Sequence, residues 1–156
     1  MVNPTGGGIR VDGRGDGRFW SRRLHWRVKN GVGQWVTEHH LGCDFLLPWG
    51  PGQDVYSPIE GKIFRHGTCY QNCDDYHLIV IRNNGWEWRL LYCTPTIEPR
   101  EWVKAGDVIA RAENVALRYP KNNQGEMLPH VHGEVRERNS EGYKVLRDPW
   151  ELCHAA

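Results

Sequence analysis

The sequence predicts a mainly β domain, and three observations carry that expectation. Its 156 residues include 18 Gly and 9 Pro, a turn-rich composition. Its 8 Trp and 6 Tyr suit pleated surfaces better than helices. From residue 54 onward, short apolar runs alternate with turn residues at regular intervals. With 39% hydrophobic residues the chain can bury one core, and no apolar run approaches the roughly 20 residues a membrane span needs. The 20 Lys+Arg nearly cancel the 19 Asp+Glu, and a formal net charge of +1 disfavours a general nucleic-acid coat.

Residues 1–35 carry Gly6-Gly7-Gly8 and further glycines among arginines and tryptophans, with neither a helical nor a strand period. They read as an irregular lead-in to a β domain over 36–156. Within them Arg14-Gly15-Asp16 is better explained as a tight turn than as an adhesion tripeptide. The strands then follow in order: Val55-Tyr56-Ser57 before Pro58; Lys62 to Arg65 after Gly61; His77 to Ile81; and, beyond Asn83-Asn84-Gly85, Trp86 to Tyr92. Trp102-Val103-Lys104 leads into Asp107 to Ala110, and His130 to Val135 and Tyr143-Lys144-Val145 complete a set of seven or eight. Glu113 to Arg118, ended by Pro120, is the single helical candidate. Arg136 to Gly142 reads as a solvated hairpin tip.

Cys43, Cys69, Cys73, Cys93 and Cys153 are odd in number and scattered, which is not the pattern of a secreted disulfide framework. Cys69 and Cys73 could close a small loop or, with Asp74, catch a metal; a plain solvent loop is the simpler reading. The first residues hold neither a basic start nor an apolar stretch, so no secretory signal of the usual form is expected. Most of the tryptophans are expected to finish a small core. The sharper alternative makes Trp20, Trp26, Trp35 or Trp49, on the segments framing His40, walls on which sugar or peptide could pack.

Two histidine patterns could do chemistry: His40-Leu41-Gly42-Cys43-Asp44 and His130-Val131-His132. In a strand alternate side chains share a face, so His130 and His132 point to one side, as do His40 and Asp44 if their stretch is extended. Gly42 lets the backbone come close to whatever they hold. Three protein ligands and an open fourth position is the arrangement of catalytic zinc. His40, Asp44 and one of the two late histidines supply three such ligands, and the other histidine is placed to take a proton from bound water.

These motifs resemble the two signatures of lysostaphin-type zinc metallopeptidases, the β-lytic peptidoglycan endopeptidases. The likeness extends to Val55-Tyr56-Ser57-Pro58-Ile59-Glu60-Gly61-Lys62-Ile63, similar to a strand pair that follows the family's first ligands, and to Trp102 through Ala110. It covers about residues 11–150. The resemblance implies an open, twisted antiparallel sheet with a narrow groove and little helix. It also implies one Zn2+ held by His40, Asp44 and His132, with His130 acting on the water.

One position departs from the family pattern. A "Y-x-H" histidine usually faces the first His of His-x-His and helps stabilise the transition state, and here Leu91-Tyr92-Cys93-Thr94-Pro95 puts Thr94 in its place. A threonine hydroxyl can donate a hydrogen bond but carries no charge. Losing one such donor elsewhere costs on the order of 10²- to 10³-fold in rate. His77, at the head of its strand, is a candidate substitute. The replacement resembles the leukocyte cell-derived chemotaxin-like subgroup, which includes a zinc-binding relative regarded as non-enzymatic.

Two functions are thus in view. One is a zinc-dependent endopeptidase cutting the peptides of bacterial peptidoglycan, from a phage or bacterium, acting in lysis or wall penetration. The other is a catalytically weak or inactive zinc-binding module that recognises wall or builds a virion. Bacterial peptidoglycan is the expected partner, with phage tail or virion proteins beside it, and nucleic acid is not. The expected location is the host cytoplasm before release to the wall, or the virion.

Overall fold

The computed structural model describes residues 1–155, and strands dominate it. In chain order these are β1 (Val11–Asp12), β2 (Gly15–Asp16), β3 (Arg22–Lys29), β4 (Val32–His39), β5 (Cys43–Leu46), β6 (Asp54–Tyr56), β7 (Gly61–Tyr70) and β8 (Cys73–Asn83). After them come β9 (Trp86–Leu91), β10 (Cys93–Pro95), β11 (Trp102–Val103), β12 (Val108–Ala112), β13 (His130–Arg138) and β14 (Lys144–Arg147). A 3₁₀ turn spans Val115–Arg118 and a single α-helix, α1, spans Pro149–His154.

The main sheet is antiparallel and runs β11-β7-β8-β9-β13-β14, with β5 also paired to β13. Strand β13 therefore has two partners along one edge: β5 over His130 to Gly133 and β14 over Val135 to Arg138. A smaller sheet, β10-β12-β6, packs on one face of the main sheet. Period-two alternation decides which side chains meet there. Ile63, Ile79, Ile81, Trp88, Leu90, Val131 and Val135 face Val55, Ile109, Ala110 and Cys93 in one buried cluster. The opposite face, with His130, His132, Glu134 and Arg136 on β13, is left for chemistry.

Three expectations need correction. The segment 1–35 is not irregular throughout, because β3 and β4, eight residues each, form a hairpin from Arg22 to His39 within and beyond it. Its two-residue turn is Asn30-Gly31, with φ of 52° and 77°. That pair of positive values is what a type I′ turn requires, and Gly31 meets it without strain. Second, a helix also forms at the C-terminal end. Pro149 fixes its first turn and the Asp148 carboxylate accepts from the backbone N–H of Trp150 and Glu151, so α1 is a capped turn too short to show a period. Third, the tryptophans do not mainly fill the core: Trp88 is fully buried, while Trp20, Trp26, Trp35, Trp49 and Trp102 are each more than half exposed. Aliphatic residues and Trp88 already fill the space between the sheets, and the β3–β4 hairpin is a two-stranded sheet of its own.

Cys69 and Cys73 sit on β7 and β8 around a tight turn, and all five cysteines are free thiols. Among the described residues no helix is long and apolar enough to cross a membrane.

Candidate metal centre

Strand β5 lies antiparallel to β13 with Asp44 directly opposite His132. Cross-strand neighbours share a face, so the register brings a carboxylate to an imidazole over a sequence separation of 88 residues. His40 enters from the segment just before β5. Its backbone N–H donates to the Ser21 carbonyl, and its own carbonyl accepts from the Trp20 N–H. Gly42 makes the approach feasible, since a Cβ there would stand 2.2 Å from the Gly133 oxygen and 2.8 Å from His132 Nε2.

Three donor atoms converge. His40 Nε2 lies 2.9 Å from His132 Nδ1, and Asp44 Oδ1 lies 3.2 Å from the first and 2.8 Å from the second. The outward nitrogens are already engaged: His40 Nδ1 donates to the Arg18 carbonyl at 3.0 Å, and His132 Nε2 faces Glu134 Oε1 at 3.5 Å. With both rings neutral, two nitrogen lone pairs and a carboxylate oxygen are aimed at one point, an arrangement that repels itself unless a cation lies among them. The donor set, two imidazoles and one carboxylate with room for a fourth ligand, is of the kind that suits zinc. Among the described residues this is the one His/Cys/Asp/Glu cluster close enough to hold an ion, and Cys69, Cys73 and Asp74 do not form a second.

Protonation follows from the same geometry. Burial works against the charge on Asp44, yet the imidazoles around it hold its carboxyl well below the usual range. Burial likewise opposes the charge on His132, but the carboxylates of Asp44 and Glu134 raise it to about 9. Burial pushes His130 down to about 4, which keeps that ring neutral.

His130 is close to the cluster without being part of it. Its Nε2 is 3.7 Å from Asp44 Oδ1. Its Nδ1 meets the Leu128 carbonyl at 2.8 Å, which fixes Nδ1 as the protonated nitrogen and leaves the Nε2 lone pair toward the ligands.

Residues beyond the sequence-read set complete the centre. Asp44 divides its two oxygens: Oδ1 faces the imidazoles, while Oδ2 accepts from Arg10 Nε and Nη2 at 3.1 and 3.0 Å and from Arg23 Nη2 at 2.9 Å. Arg10 also donates to Asp12 Oδ1 at 2.6 Å, and Asp12 Oδ2 accepts from the Leu128 N–H at 2.8 Å. A run of hydrogen bonds therefore links the ligand Asp44 to the loop that orients His130. Glu134 was legible as the next residue on the His132 face. Arg10 and Arg23 carry no local signal.

The other two sequence-read residues lie elsewhere. Thr94 Oγ1 donates to Glu113 Oε1 at 2.8 Å, and His77 gives the same carboxylate both its backbone N–H and its Nδ1. Neither lines the groove of about 670 Å³ that contains His40, Asp44, His130 and His132. Tyr92 and Tyr119 do. Tyr92, at the break between β9 and β10, has a φ of 68° and sets its ring edge-on to His130, centroids 5.5 Å apart. Tyr70 donates its hydroxyl proton to the Tyr92 hydroxyl at 3.1 Å and lies 2.9 Å from that of Tyr119. Because Tyr70 has one proton to give, Tyr119 is the donor in the second bond, and the proton of Tyr92 is left for the groove.

No family model and no curated protein matches the sequence. Among solved structures, the chain is similar to the catalytic domain of the antimicrobial peptidase lysostaphin from Staphylococcus simulans, at 18% identity and a TM-score of 0.52, over 81% of this chain and 83% of that one. A zinc-containing peptidase from Vibrio cholerae aligns at 23% identity and a TM-score of 0.51, over 88% of this chain and 37% of that one. Helicobacter pylori Csd3 aligns at 17% and 0.56, over 89% and 33%. The chain thus spans about a third of the Vibrio and Helicobacter proteins. The curled, mostly β architecture is the fold of lysostaphin-type peptidases.

Proposed function

We propose that this chain is a zinc-dependent endopeptidase acting on the peptides of bacterial peptidoglycan. The observation that carries the reading is the convergence of His40 Nε2, Asp44 Oδ1 and His132 Nδ1 within 3.2 Å of one another, beside a third imidazole, that of His130, excluded from the set. The fold shared with lysostaphin supports the substrate class. His40, Asp44 and His132 would hold the zinc ion, which when bound would supply Lewis acidity toward a scissile carbonyl and a water.

The chain's own groups do the rest. His130, with Nδ1 fixed on Leu128, offers Nε2 to take a proton. The free Tyr92 proton is the groove's donor for an oxygen gaining negative charge, in place of the histidine replaced by Thr94. The exposed rings of Trp20 and Trp26 stand on the segment that frames His40.

The second reading, a zinc-stabilised module that recognises wall without cutting it, draws on Thr94, whose hydroxyl is spent on Glu113. Zinc-loaded protein incubated with purified cell walls, with and without chelator, separates the two. New amino termini that appear only without chelator support the peptidase; wall binding with none supports the module.

A further inference from the structure

Along β13 the face that carries His132 changes character within two further residues on that face. Cross-strand register places Lys62, Arg82, Glu87 and Arg136 in one row across β7, β8, β9 and β13. The row nearer the metal centre holds Arg65, Val80, Arg89 and Glu134, and the row beyond pairs Arg138 with Lys144. In these three rows seven cationic side chains stand with two carboxylates, a local +5 in a chain whose total is +1. The near-neutral total hides a segregated field.

This face is also ordered. Glu87, 3% exposed, is bound by Arg82 at 2.6 Å, Lys144 at 2.8 Å and Arg89 at 2.9 Å, with Arg136 at 3.8 Å. One carboxylate cannot satisfy three guanidinium forks and an ammonium, so donors remain free toward solvent. Val80, on this face and outside the core cluster, is 1% exposed between its neighbours Arg65 and Arg89. Two of the cations, Arg65 and Arg89, therefore flank a buried apolar residue.

We propose that this face binds an anionic phosphodiester polymer of the bacterial wall, of the poly(glycerol phosphate) type, alongside the peptide groove. The phosphate chemistry rests on the face itself, and the wall as its source rests on the peptidase reading. Five of the seven cations are arginines, whose planar forks match phosphate oxygens. The seven cations together spread over five strands, about 20 Å at the usual strand spacing, a span suited to repeated charges rather than one carboxylate. Nucleic acid fits less well. Phe64 has its ring covered by the Arg82 guanidinium at 3.4 Å, and the Trp102 indole N–H at the sheet edge donates to Glu60. No aromatic side chain stands within the rows across β7, β8, β9, β13 and β14, and the exposed Trp102 ring lies only at their edge, so bases have few places to stack.

The test measures binding of the full chain to purified poly(glycerol phosphate) over a series of salt concentrations. The wild type should bind, with log affinity falling linearly in log salt. Replacing Lys62, Arg65 and Arg138, none of them bonded to Glu87, with Ala should weaken binding about tenfold or more and flatten the slope. The melting temperature should not change, and Arg27→Ala with Lys29→Ala, on the β3–β4 hairpin, should leave binding intact. No binding at about 20 mM salt, where screening is weak, would overturn the proposal. Equal affinity in the triple variant, or equal or better competition by single-stranded DNA or by polyglutamate, would overturn it too. Cleavage of wall peptides stripped of the polymer is measured in parallel. Cleavage without polymer binding sinks the docking face alone, and polymer binding without cleavage sinks the peptidase alone.

Discussion

Arg10 holds Asp44 by one oxygen. Its guanidinium is wholly buried and reaches Oδ2 through Nε and Nη2 at 3.1 and 3.0 Å, so Oδ1 alone faces the three imidazoles. An outer residue of this kind sets which oxygen a carboxylate presents to an ion, and loss of such a partner typically costs about 10- to 100-fold in metal affinity. Arg10→Met also leaves Asp12 and Asp44 without their shared cation, worth about 3–5 kcal/mol when a buried partner is removed. Denaturant melts and zinc titration should both register the change. An unaltered zinc affinity would deny Arg10 this role.

Glu87 makes the fold acid-sensitive. Burial raises its carboxyl, but Lys144 and the neighbouring arginines outweigh that and hold it at about 2, against an ordinary 4.5. A depressed pKa contributes stability that is full above the ordinary value and lost as pH falls through the folded one. The window is therefore between about 4.5 and 2, and the contribution is of the order of 3 kcal/mol. Glu87→Gln should lower stability at neutral pH by about that amount and flatten the unfolding free energy across the window; an unchanged acid limb would remove Glu87 from the account.

Gly42 is required by space. Its φ lies outside the left-handed region, but a Cβ would press on the Gly133 backbone oxygen at 2.2 Å and on His132 Nε2 at 2.8 Å. Gly42→Ala should destabilise the fold by about 1–3 kcal/mol, the usual cost of overpacking, and displace a ligand. Zinc content and melting temperature should fall together.

Tyr92 and Thr94 separate by function. Tyr92→Phe removes the free groove proton while keeping the ring against His130, and should slow wall-peptide cleavage about 10²- to 10³-fold with zinc retained. Thr94→Ala breaks a bond to Glu113 outside the groove and should change the rate by less than about threefold, a difference of under 1 kcal/mol. The reverse ranking in single-turnover assays would return the donor role to position 94.

Spacing offered the candidate donors, while the choice of His132 over His130 as ligand came from the family resemblance. The period of two in His130-Val131-His132 put both rings on one face and Val131 in the core, and Gly42 between His40 and Asp44 marked a close approach. Pairings across long separations were not legible: Arg10 with Asp44, Leu128 with Asp12, and the contacts among Tyr70, Tyr92 and Tyr119 depend on how loops return to the sheet. The β3–β4 hairpin did carry its signal, an Asn30-Gly31 turn between runs in which Leu24, Trp26 and Val28 alternate with Arg23, His25 and Arg27. The surrounding glycines masked it. Trp26 and Trp35 ran against composition because the hairpin that carries them has no second layer to cover it, whereas Trp20, Trp49 and Trp102 are exposed outside that hairpin.

Zinc content and wall-peptide cleavage, measured on the same preparations of wild type, His130→Ala and His132→Ala, test the central assignment most directly. The account predicts one zinc and cleavage in the wild type, one zinc without cleavage in His130→Ala, and neither in His132→Ala. Loss of zinc in His130→Ala with retention in His132→Ala would contradict it.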